Sequence, residues 1–314
     1  MNFSKIFLII ILSSIAFYSI FLFLSDISSL KSHSISFKYE YVFIILIFVV
    51  SSWIPLFLRW RLLCKNIGLK ISLRVDFLVY LAGFALSITP AKVGELLRTQ
   101  ILRDKSGIQR SQTTPLIFIE KFYDLLGAVL VSSIGILYFP QIGIIVLGGL
   151  ILSIIIFILF SSKITFDKSI IILSKFKFTK NFIEPLSKSH EILKNSTKIK
   201  IFSSSIILSL LYWLSISFAV FFILKSLSID SLGFAEIAST YASSLFLGAL
   251  SFLPGGLGIT EASFTGLLNI QGISLSMAIV TVIVVRLFTL WFGVVIGFIA
   301  LKLVGGFSLK STNS

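Results

Sequence analysis

Along the chain, apolar runs rich in Ile, Leu and Phe alternate with short polar stretches that are mostly basic. The runs are about 20 residues long, the length at which a helix crosses roughly 30 Å of hydrocarbon. The pattern predicts spanning segments near 6–24, 41–58, 114–138, 142–162, 201–224 and 275–303. Two further apolar segments do not run through. FALSITPAKVGE breaks at Pro90 and reaches Gly94 and Glu95; LGALSFLPGGLGITE breaks at Pro254, passes Gly255, Gly256 and Gly258 and ends on Glu261. Glu120 follows Glu95 by 25 positions, and Arg286 follows Glu261 by the same 25. Residues about 40–138 and 201–303 therefore read as repeat halves of one membrane domain over 1–314.

Composition narrows the class. With 56% hydrophobic and 13% charged residues among 314, and a mean hydropathy of +1.05, the chain is too apolar for a soluble domain of its size. The expected fold is an all-α polytopic membrane protein. The single cysteine, Cys64, excludes an internal disulfide, and His33 and His190 are too few for a histidine metal site, so neither metal nor cofactor is expected.

The net charge of +14 is informative through its placement. Residues 59–75 hold Arg59, Arg61, Lys65, Lys70 and Arg74; 98–112 hold Arg98, Arg103, Lys105 and Arg110; 163–200 add nine lysines. By contrast, Lys31 and Lys38 are balanced by Asp26 and Glu40, and Lys225 faces Asp230. The positive-inside rule puts the three basic loops and both termini in the cytoplasm. Residues 59–75 and 98–112 share that side only if the segment between them enters the membrane and returns. The same counting makes 235–268 dip in from the opposite face. The layout is then six spanning helices plus two re-entrant hairpins in an inverted repeat, as in secondary transporters. The alternative counts eight spans and leaves four basic residues outside. The first apolar run is too long for a signal peptide and no A-x-A-like cleavage site follows it. Residues 163–200 form a basic cytoplasmic loop, where the sequon Asn195-Ser196-Thr197 would not be glycosylated.

Non-helical backbone at membrane depth must lie in protein or line a wet cavity. A returning helix that starts near the membrane centre presents free N–H groups to an anion. Thr89-Pro90 and Thr260 suit such helix starts, and Lys92 adds a cation beside the first. Arg286 lies near mid-bilayer, where an arginine costs about 2.5–3.5 kcal/mol, so it requires an acid or an anionic ligand, with Glu261 and Glu95 as its candidate counter-ions. Gly293 and Gly297 share its face and would admit a neighbouring helix. Glu120, Asp124 and Gly127 share another face, with Lys121 turned about 100° away. That cluster is either part of the site or an interfacial group about 9 Å from the surface. No Ser/His/Asp set, phosphate loop or paired histidine ligands occurs, and no catalytic role is expected.

At these residues the chain resembles the lysylphosphatidylglycerol synthase transmembrane, or flippase-like, family. The matching stretches are PAKVGELLR at 90–98, EKFYDLLG at 120–127, LPGGLGITE at 253–261 and VVRLFTLWFGVVIG at 284–297. Lys121 stands where the family usually has Arg. In larger members, the multiple peptide resistance factors, such a module moves aminoacylated phospholipid between leaflets and is joined to a soluble aminoacyltransferase domain. The resemblance implies the translocating module alone in a bacterial or archaeal cell membrane. Lipids would be its substrate and environment, a separate lipid-modifying enzyme is a possible partner, and no nucleic acid is involved. The expected activity is translocation of an anionic, aminoacylated or glycosylated phospholipid or polyprenyl-phosphate head group. The alternatives are an ion-coupled carrier of a small solute and a non-transporting assembly protein.

Overall fold

The computed structural model describes residues 37–89, 93–175 and 189–305, whose regular elements are all helices, with no strand among them. The expected first span at 6–24 lies outside the described residues. Helix α1 (Tyr41–Asn66) turns Phe43, Ile47, Val50, Ile54 and Leu58 outward, a stripe at helical spacing suited to lipid, and Ile45, Val49, Trp60 and Leu63 inward. Helices α2 (Leu73–Ala82) and α3 (Leu97–Ser106) flank the first broken segment, and the long α4 (Arg110–Ile134) follows. Helices α5 (Gly143–Ser161), α6 (Lys163–Ser174) and α7 (His190–Ser196) connect the halves. The second half comprises α8 (Ile199–Ser226), α9 (Phe234–Leu250), α10 (Ile259–Ile270), α11 (Leu275–Arg286) and α12 (Phe292–Leu303).

Helices α1 and α8 form the central seam and run antiparallel. The Lys38 amide donates to the Ser226 carbonyl, Phe48 stacks on Phe218 and Phe222, and Arg59 reaches Ser209. Buried Ser205, Ser209, Ser217 and Ala219 keep the α8 face of this seam thin, which brings the backbones close where dispersion, rather than water, must drive association.

In each half a broken segment follows the seam helix and doubles back. Helices α2 and α3 have 10 residues each, or about 15 Å, half the thickness of the hydrocarbon. They pack side by side, as do α9 and α10. The first hairpin starts just beyond the C-terminal end of α1 and the second just beyond that of α8. Because those helices are antiparallel, the two hairpin bases sit at opposite ends of the seam. The tips meet: a Cβ on Gly255 would lie 3.1 Å from the Ile88 side chain. The closing helix of each half then packs on the other half's hairpin. Gly135, just past α4, abuts Ser239 of α9, and Gly297 of α12 lies against the backbone of Phe84 and Ala85.

Among the described residues, four stretches are long and apolar enough to cross a membrane: Tyr41–Asn66, Pro140–Ser161, Ile199–Ser226 and Leu275–Leu303. Helix α4, with 25 residues, is also long enough but carries Glu120, Lys121 and Asp124 in its middle. Two expectations need correction here. The span expected to end at residue 58 continues to Asn66, and residues 98–106, expected in a loop, belong to α3. Arg59 and Arg98 are therefore buried helical residues, only 1% and 2% exposed, because acids on α4 and on the hairpin neutralise them. Lys65, Lys70, Arg74, Arg103, Lys105 and Arg110 lie around the ends of α1, α2, α3 and α4.

Candidate functional site

The first half gathers six charges between the hairpin, α4 and the seam. Arg98 of α3 donates through Nη2 to Glu120 Oε2 at 2.5 Å and to Glu95 Oε2 at 3.2 Å. Lys121 donates to Glu95 Oε1 at 2.8 Å and lies 3.5 Å from Asp124 Oδ2. Asp124 Oδ1 accepts from Arg59 Nη2 at 2.5 Å, and Arg59 Nη1 donates to Ser209 Oγ at 2.5 Å. Arg59, Arg98 and Lys121 thus balance Glu95, Glu120 and Asp124. Such balance is what permits burial, since an isolated charge in this setting would cost several kcal/mol.

Aromatic rings complete the setting. The Arg98 guanidinium sits 4.5 Å from the Trp60 ring centroid and 4.9 Å from that of Tyr80, where cation–π attraction favours it. Gly83 makes the room: a Cβ there would come 2.8 Å from Arg98 Cδ. Trp60 Nε1 in turn donates to Asp76 Oδ1 at 2.8 Å. Gly127, on the expected Glu120/Asp124 face, admits Trp213 of α8, whose Nε1 donates to the Asp124 carbonyl at 3.0 Å. Glu120 is 2% exposed and faces Arg98, so it does not reach water along the α4 surface.

In the second half, four elements converge on one ion pair. The tip Leu253-Pro254-Gly255-Gly256 turns through glycines at φ +59° and +70°, backbone that a side chain would strain, and Gly258 at φ +86° caps α10. Glu261, the third residue of α10, reaches back so that Oε2 accepts from the Gly258 amide at 2.7 Å. Its Oε1 accepts from Arg286 Nε at 2.7 Å, and Arg286 Nη2 lies 3.4 Å from the Gly255 carbonyl. Immediately after Arg286 the helix widens into a π turn, Leu287–Trp291, a distortion common at functional positions.

Several expected placements change. Gly258, not Thr260, caps α10; Thr260 instead points its hydroxyl at Gly248 and Gly256. The positive start of α10 is met by the chain's own Glu261, because a carboxylate three residues in satisfies the amide at no cost in sequence distance. Of the two acids considered for Arg286, Glu261 pairs with it, whereas Glu95 is engaged by Arg98 and Lys121. Gly297 admits a neighbour, but a Cβ on Gly293 would meet nothing within 4 Å. Pro90 and Lys92 lie outside the described residues, and Gly94 falls in the 3-10 turn Val93–Leu96. Arg59, Arg98 and Asp76 were not expected in the site. Arg98 had a signal, since it stands three residues after Glu95 on the same face. Among the described residues no group of three His, Cys, Asp or Glu is placed to hold a metal ion.

The fold and site together define a multi-pass helical membrane protein in which two opposed, broken hairpins meet beside buried, paired charges. The chain belongs to the family described as the lysylphosphatidylglycerol synthase TM region, whose model matches residues 9–297. It is similar to the UPF0104 membrane protein MJ1078 of Methanocaldococcus jannaschii, with 27% identity over 233 residues, covering 70% of this chain and 94% of the relative. A UPF0104 membrane protein of Methanothermobacter thermautotrophicus is 27% identical over 262 residues, covering 76% of each chain. No solved structure matches.

Proposed function

We propose that this protein is a lipid translocase, passing an anionic, aminoacylated or glycosylated phospholipid or polyprenyl-phosphate head group between leaflets of the cell membrane. Membership of the family supports a lipid-related role in the membrane. The observation that carries the finer reading is the meeting of two hairpins from opposite ends at Ile88 and Gly255. Each is tied to the next helix of its own half by an ion pair, Arg98–Glu120 and Glu261–Arg286. In this reading the hairpins are re-entrant, the halves are inverted repeats, and both termini face the cytoplasm. Short helices ending at mid-membrane leave polar backbone where a head group can exchange its water for protein contacts, while its acyl chains stay in the bilayer. The charges act as switchable ties: a phosphate draws Arg286 from Glu261, and a cationic substituent draws Glu95 from Lys121. The role is non-enzymatic.

The test is leaflet-resolved scrambling of fluorescent phospholipids and polyprenyl phosphates in vesicles containing wild-type protein, Glu261→Gln or Arg286→Ala. Transfer by the wild type that is lost in folded variants supports the reading. Absence of transfer for every lipid by folded wild type overturns it, and uptake of a water-soluble compound in the same vesicles would favour an ion-coupled solute carrier.

A further inference from the structure

A cavity of about 400 Å³ opens at the base of the first hairpin, where α1 ends and α2 begins. Arg61, Lys65 and Lys70 supply three cations to its lining and Asp76 one carboxylate. The acid does not neutralise this set. Asp76 gives one oxygen to the Trp60 indole, and its other oxygen lies 3.4 Å from Arg61 Nη1, which makes no hydrogen bond although the atom is buried. Ser72 also lines the cavity and precedes α2; its side chain makes no capping bond, so the amides at the start of this ten-residue helix lack a side-chain cap beside the cavity.

We infer that this cavity binds a phosphate group, with Arg61 and Lys70 as its charged ligands and the start of α2 as its backbone donor. The chemistry favours phosphate over a carboxylate-bearing or neutral solute. A net excess of two cations matches a phosphoryl group, an arginine with a free guanidinium edge suits its oxygens, and a helix start adds partial positive charge. The volume falls in the range of small-molecule sites, so the ligand is larger than a bare ion: a phosphate ester, whether a lipid head group or a soluble compound. Position adds a consequence. Asp76 is bonded to Trp60, and Trp60 lies against Arg98, so an anion displacing Asp76 from Arg61 acts directly on the wall of the six-charge cluster.

The site is tested by isothermal titration of the full chain in maltoside micelles with three probes: inorganic phosphate, glycerol 3-phosphate and short-chain phosphatidylglycerol below its micellar concentration. Wild type is expected to bind an ester more tightly than inorganic phosphate, and Arg61→Gln with Lys70→Gln to weaken binding about tenfold or more. Lys163→Gln and Lys302→Gln, at exposed lysines elsewhere, should leave it unchanged. If the charge variant fails to fold, Ser72→Tyr, which keeps the cations and fills the space, must lose binding instead. Tighter binding of the short-chain lipid than of glycerol 3-phosphate assigns the site to a head group, and the reverse to a soluble ester. No binding by folded wild type, or binding that survives both variants, overturns the inference. Detergent has no leaflets, so this result is independent of scrambling, and either can fail without the other.

Discussion

Carried through both halves, the 25-residue spacing sets two polar sites side by side in the same register, and they differ more than the backbones that hold them. Glu95 matches Glu261 and Glu120 matches Arg286, but Phe264 stands where the first half has Arg98, Leu287 where it has Lys121, and Leu290 where it has Asp124. The first half thus ties its hairpin with a cation on the hairpin and an acid on the following helix, and the second half with the reverse. Six charges and two aromatic faces hold the first tie; one ion pair and a capped helix start hold the second. Phe264, buried against Tyr241 at a centroid distance of 5.7 Å, fills with hydrocarbon the place where Arg98 lies on Trp60 and Tyr80. Among the described residues, the first half therefore carries a broad polar lock and the second a smaller latch. The latch adjoins three glycines of positive φ and a π turn, so motion is expected to begin there.

The largest effect should come from Arg98. Arg98→Met takes the guanidinium from Glu120 and from Glu95, both buried, and is expected to cost about 3–5 kcal/mol, seen as a large drop in thermal unfolding temperature in micelles. Arg98→Lys should recover little, because an ammonium cannot reach both carboxylates and stack on both rings. Full recovery by lysine would show that charge alone matters in the first half.

Arg286→Ala should be similar in size, since it takes the guanidinium from a fully buried carboxylate. The halves separate on the double variants. Glu261→Gln with Arg286→Leu removes the whole latch, and since Gln retains an oxygen for the Gly258 amide, most of the stability should return. Arg98→Met with Glu120→Gln should not recover in the same way, since the buried Glu95 carboxylate still loses the Arg98 guanidinium. Equal recovery in both halves would remove the distinction between lock and latch. Scrambling by the stable Glu261→Gln/Arg286→Leu protein would instead identify that pair as an assembly device.

Helix crossings give a smaller contrast. Gly297→Val puts methyl groups into the Ala85 backbone and is expected to cost about 1–3 kcal/mol, whereas Gly293→Ala, with open space around it, should be neutral or slightly stabilising in the same melt.

Much of this was legible in the chain. Apolar runs show the helices, and Pro254 with Gly255, Gly256 and Gly258 shows the second break, because only a break needs that many flexible residues at lipid depth. Arg286 announced an acidic partner, with Glu261 and Glu95 as the candidates, since an arginine amid apolar residues must have one. The first half was harder for a physical reason. Arg59 and Arg98 sit where a span meets basic loops, and a buried arginine at a helix end has the same sequence appearance as one in water. Asp76 was hidden similarly, as an acid in the first turn of a helix that ordinarily favours one there. Gly293 differs from Gly297: helical spacing put it on the Arg286 face, but among the described residues nothing lies within 4 Å of a Cβ there.

The smallest expected effect belongs to Lys121, and it separates a lock from a mere crowd of charges. Its side chain is 29% exposed, so water screens both of its contacts, and Lys121→Gln should cost only about 1 kcal/mol. Its position gives the change diagnostic value. Lys121 joins the Arg98 pair to the Arg59 pair, through Glu95 on one side and Asp124 on the other. With the bridge intact, the costs of Arg98→Met and Arg59→Met should be coupled. In the Lys121→Gln background they should become additive to within about 0.5 kcal/mol. Additivity already present in the wild-type background would mean that the first half holds two independent ties, each of the same kind as Glu261 with Arg286, and the difference between the halves would then be one of number alone.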